Sequence, residues 1–141
     1  MYSLRKSKKG FTLIELMVVV VIIGVLALLG LRLYLTQIEK SNNALIKANA
    51  GTVQTTIQGD LADADPAAVW ADWQAVTLVA RTGIHNPLDK EPQTTYPVSQ
   101  GTAAPGEVWV SYSETDAMFS INGLDAAGDG PVYTTDLVAK Y

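Results

Sequence analysis

The chain has 141 residues, with fourteen acidic and ten basic side chains and a formal net charge of −4, a length that holds one small domain and little more. It has no cysteine and a single histidine, His85, which excludes disulfides, thiolate metal sites and a cysteine nucleophile and argues against histidine-built zinc. Arg5, Lys6, Lys8 and Lys9 all precede Gly10, so the rest carries six basic and fourteen acidic residues, a charge of −8 that argues against nucleic acid as a partner.

From Phe11 to Leu31 only Thr12, Glu15, Gly24 and Gly30 are not plainly hydrophobic. About twenty such residues suffice to cross roughly 30 Å of hydrocarbon as a helix. Positive charge before the span and negative charge after it orient the N-terminus to the cytoplasm and the body outward. The exit Leu29-Gly30-Leu31-Arg32 offers no small-residue cleavage site of the secretory kind, so the span is expected to stay attached to the body. Arg32 marks its end, with the guanidinium snorkelling to the headgroups.

Glu15 is costly in that setting, about 2.5–3.5 kcal/mol at full depth and less near the interface. A first-turn position, where the helix dipole favours an acid, is one account of it.

A second account comes from the segment Lys8-Lys9-Gly10-Phe11-Thr12-Leu13-Ile14-Glu15-Leu16, which resembles the processing site of type IV pilins and the related pseudopilins of type II secretion. The resemblance implies a basic leader, residues 1–10, that a prepilin peptidase removes between Gly10 and Phe11 before methylating the new amine of Phe11. It further implies that Glu15 of one copy meets the Phe11 ammonium of a neighbour during assembly, and that the other partners are further copies in a helical filament, an assembly ATPase and its inner-membrane platform. The precursor would lie in the inner membrane and the assembled fibre at the cell surface. The family often has proline near position 32, where this chain has arginine. Gly24 and Gly30, each about 1 kcal/mol worse than alanine in a helix, are the candidates for a soft segment instead.

The helical pattern continues beyond the span. Ile46, Ala50, Val53 and Ile57 recur at helical spacing, no proline falls between Phe11 and Gln58, and one helix of about 48 residues, roughly 70 Å, is expected over 11–58. Its 11–31 part is the membrane or filament-core segment, and residues 59–141 form a globular head. Gly59 and Asp60 are expected to end the helix. Asp65-Pro66 opens a second one, with Asp65 as N-cap and Pro66 in the first turn. Val69, Trp73, Val76 and Ala80 are its buried face, and Gly83 its stop. Trp70 and Trp73 could stack on a sugar, but packing into the core is the stronger reading. Residues 84–106, rich in Pro, Thr, Gln and Gly, read as a long surface loop.

The period then changes to two. Strands are expected at Glu107–Ser113, with Val108, Val110 and Tyr112 on one face and Trp109 on the other, at Ala117–Asn122 and at Pro131–Val138. The short Glu114-Thr115-Asp116 connection implies an antiparallel hairpin. The expected class is therefore α+β: a long N-terminal helix and a head with a short helix and a three-stranded antiparallel meander.

The stretch Asp125-Ala126-Ala127-Gly128-Asp129-Gly130 reads first as a Gly/Asp turn. Asp125 and Asp129 are also candidate calcium ligands, because major pseudopilins are similar in holding calcium near the C-terminus; no other cofactor is expected. His85 lacks any accompanying nucleophile motif, and no phosphate-binding loop is present, so the chain reads as a non-enzyme. The leading function is a pilus subunit. The alternatives are a major pseudopilin and a monomeric, signal-anchored binding domain facing outward.

Overall fold

The computed structural model describes residues 10–75, 82–94 and 97–140. It divides into two compact units, Met1–Gln37 and Ile38–Tyr141. The leader residues ahead of Gly10, together with Val76, Ala80, Arg81, Tyr96 and Tyr141, lie outside the described residues.

The first unit is the start of helix α1, which is assigned over Leu13–Asp63. Every apolar side chain larger than alanine from Phe11 to Leu35 is more than half exposed, and this part of α1 is long and apolar enough to cross a membrane. Gly24 and Gly30 are both helical.

The second unit is built on the later turns of α1. Ile46, Ala50, Val53, Ile57 and Leu61 form one buried stripe at spacings of four and three, the signature of a helix laid against a core. The stripe explains why α1 runs past Gly59 to Asp63 rather than ending at Gly59. Leu61 is only 3% exposed, and burying a leucine contributes about 1.5–3 kcal/mol, more than the roughly 1 kcal/mol that glycine costs in a helix.

Helix α2 spans Pro66–Gln74. The Asp65 carboxylate accepts from the Ala67 N–H at 2.9 Å, a cap worth about 1 kcal/mol, and Val69 and Trp73 are buried. At Ala75 the N–H bonds both Ala71 O and Asp72 O, and the predicted continuation through Val76 and Ala80 falls on residues 76–81, outside the described residues. Trp73 is in the core cluster, and Trp70, half-buried, packs against it, its ring 5.8 Å from Tyr112 and 6.0 Å from Phe119.

Strands β1 (Val108–Ser113), β2 (Met118–Gly123) and β3 (Leu137–Lys140) form an antiparallel sheet in the order β1-β2-β3. Val108, Val110, Phe119, Ile121 and Ala139 join the α1 stripe in one core. Trp109, on the opposite face of β1, is nearly as buried, so both sides of that strand's first half are covered. At Gly123 the sheet comes close enough to α1 that an added methyl would collide with the Ile46 side chain.

The third strand is shorter and later than its sequence pattern predicts. Pro131 makes only an isolated bridge to Leu124, and the chain after it is held by a side chain instead of a ladder. Asn122, fully buried, donates to Tyr133 O at 3.0 Å and to Asp136 Oδ1 at 2.8 Å. Its Oδ1 accepts the N–H groups of Gly123 at 2.8 Å and Tyr133 at 3.1 Å. With the amide in the strand's place, backbone pairing resumes only at Leu137.

The 84–106 segment is likewise not a simple surface loop. Ile84, Asn86 and Gln93 are buried, and His85 pairs with Pro92 across an isolated bridge. Polar residues go inside here because their amides complete backbone hydrogen bonding: Asn86 bonds Pro105 O and the Leu88 N–H.

Candidate functional site

The candidate site is the beginning of α1. Gly10, Phe11 and Thr12 precede the first helical residue, Leu13. Gly10 and Phe11 are exposed, Phe11 at 84%. The Gly10–Phe11 bond lies in exposed backbone ahead of the helix, the kind of segment open to proteolysis.

Helix entry is set by a reciprocal pair. The Glu15 N–H donates to Thr12 Oγ1 at 3.3 Å, while Glu15 Oε2 accepts from the Thr12 N–H at 2.8 Å and from the Thr12 hydroxyl at 2.9 Å. This is a capping box, with Thr12 as N-cap and Glu15 as the third helical residue, and it satisfies two of the amide donors that a helix start leaves open. Sequence reading placed Glu15 in the first turn but missed Thr12. The signal was present as a Thr-x-x-Glu spacing just ahead of an apolar run.

Both side-chain bonds use Oε2. Within the described residues Oε1 accepts no hydrogen bond, so the cap leaves one carboxylate oxygen open to an outside cation.

The other candidates stand apart from this site. Asp125 closes its own turn: its Oδ1 accepts the Asp129 N–H at 2.8 Å, its N–H donates to Gly130 O at 2.9 Å, and its carbonyl accepts from Gly128 at 3.1 Å. Asp129 is exposed. Calcium takes six to eight oxygens, whereas this turn offers two carboxylates, one already engaged, and no group of three or more metal-binding side chains occurs among the described residues. Calcium added to millimolar excess is expected to leave the thermal midpoint unchanged, and a clear upward shift would assign the turn a metal. His85 is exposed, with its ring Nδ1 2.9 Å from Gly83 O, and among the described residues no nucleophile is bonded to it.

Residues 5–31 match a family model described as the prokaryotic N-terminal methylation motif. The type IV major fimbrial protein FimA of Dichelobacter nodosus is 35% identical over 81 residues, covering 57% of this chain and 52% of that protein. The fimbrial protein EcpB of Eikenella corrodens is 42% identical over 56 residues, covering 40% of this chain and 35% of its own length. The type IV major alpha-pilin of Moraxella bovis is 40% identical over 55 residues, covering 39% and 35% respectively. The matches span about half the length of the first relative and about a third of the other two. No solved structure matches the chain. The chain thus carries the N-terminal methylation motif at residues 5–31 and, over 39–57% of its length, is similar to type IV fimbrial and pilin proteins.

Proposed function

We propose that the protein is a structural subunit that polymerises into a type IV pilus. Made as an inner-membrane precursor with its leader in the cytoplasm, it is cut between Gly10 and Phe11 by a prepilin peptidase and methylated on the Phe11 amine. An assembly ATPase with its membrane platform then adds it to the fibre. The observation that carries this reading is the helix start, where exposed apolar side chains surround a carboxylate with one oxygen that accepts no hydrogen bond among the described residues.

Cleavage creates a cation at Phe11, four residues before Glu15. Within one chain the acid is already tied to Thr12, and the ammonium of an axially staggered copy supplies the remaining charge. In a packed apolar bundle a copy out of register would leave both charges unpaired, costing about 3–5 kcal/mol. The pair therefore acts mainly on register, since burying an ion pair gains little net stability. The names of the relatives favour a pilus over the pseudopilus and over a monomeric anchored domain.

Mass spectrometry of the protein from sheared surface filaments tests the proposal. The expected mature chain begins at Phe11 and carries one N-methyl group. An intact Met1 start, with no filaments by electron microscopy, would overturn it.

A further inference from the structure

The head presents a three-stranded sheet whose two outer strands both lack a neighbouring strand, and bare strand edges template pairing with other chains. Here both edges meet glutamine side chains. On β1, Gln93 Oε1 accepts the Val108 N–H at 3.0 Å and Gln93 Nε2 donates to Val108 O at 2.6 Å. One side-chain amide thus makes both bonds that a residue of an added strand would make. Next along this edge, the Val110 N–H donates to Pro97 O at 3.0 Å. Gln93 is only 4% exposed, so the plug is seated inside the fold.

On β3 the guard comes from the helix. Gln54 Nε2 donates to Val138 O and Gln58 Nε2 to Lys140 O, each at 2.8 Å. The spacing explains why two glutamines four apart can do this. Four residues of helix rise about 6 Å, and two residues of strand advance about 6.8 Å, so successive helical turns fall opposite successive outward carbonyls.

We infer that Gln54, Gln58 and Gln93 are edge guards that stop the head of one copy from adding its sheet to that of another. The partner excluded is a second copy of this chain. The guards leave helix packing as the route by which copies associate. The inference concerns the sheet alone and stands whether or not the chain builds a pilus.

The test uses the full chain in detergent micelles at rising protein concentration, read by size-exclusion chromatography and thioflavin fluorescence. Gln54→Ala/Gln58→Ala is expected to shift to larger, thioflavin-positive species while the wild type does not. Gln54→Lys/Gln58→Lys is expected to elute with the wild type, because a charge on an edge strand blocks pairing. An alanine pair that keeps its fold by circular dichroism and still elutes with the wild type overturns the inference. So does a lysine pair that associates as the alanine pair does. Should the double alanine variant lose its fold, Gln58→Ala alone, at an exposed position, is read by the same outcomes.

Discussion

Glu15→Gln is expected to leave the helix intact and abolish filaments, whereas Glu15→Ala is expected to lose both the filaments and the side-chain half of the capping box. The two variants separate the observed cap from the proposed pairing with a neighbouring copy. A glutamine carbonyl oxygen can still accept from the Thr12 N–H, so the capping box, worth about 0.5–2 kcal/mol, survives. The charge opposite the neighbouring ammonium does not. Leaving that cation unpaired in an apolar bundle costs about 3–5 kcal/mol, which is roughly two to three and a half orders of magnitude in each addition step. The yield of sheared surface filaments, with circular dichroism of the detergent-solubilised precursor, provides the readout. Normal filament yield from Glu15→Gln would mean that the acid matters only as a cap.

Phe119→Ala is expected to be the most destabilising single change in the head. Phe119 is fully buried, with its ring 4.8 Å from Tyr112 and 6.0 Å from Trp70, and it belongs to the same core cluster as the α1 stripe. Truncating a core phenylalanine costs about 3–5 kcal/mol through lost burial and the cavity left behind. Against a total of about 5–15 kcal/mol that is a fifth of the stability or more, and for a unit of this size it lowers the thermal midpoint by roughly 12 °C or more. Near-UV circular dichroism follows the loss of the aromatic cluster during melting. A drop of only a few degrees would mean that the cluster collapses into the space.

The parts of the molecule written as periodic apolar spacing were readable in advance. The α1 stripe, the Asp65 cap and the hairpin from β1 to β2 each follow from a local pattern whose physics is complete within a few residues. What escaped reading was decided by partners distant in sequence. Gly59 looks like a helix end until Leu61 is known to be buried. The Pro131–Val138 alternation looks like a strand until Asn122 is seen to hold Tyr133 and Asp136. Gln93 lies in a polar stretch that reads as loop, and its burial depends on a strand fifteen residues further on. At the candidate site Glu15 was conspicuous because an acid in an apolar run is costly, whereas Thr12 drew no notice because a threonine there costs little.

The turn carrying Asp125 and Asp129 is pinned where it leaves the sheet. The Leu124 N–H bonds Glu107 O at 2.9 Å, the Val132 N–H bonds Gly123 O at 2.8 Å, and Ala126 is tied to Asn43 on α1 at 2.8 Å. With its exits fixed, the tip can change length or composition without disturbing what lies beneath, since doubling a flexible loop costs only about 0.6 kcal/mol. Variation accumulated there would alter the face shown to the surroundings and leave the proposed assembly helix alone.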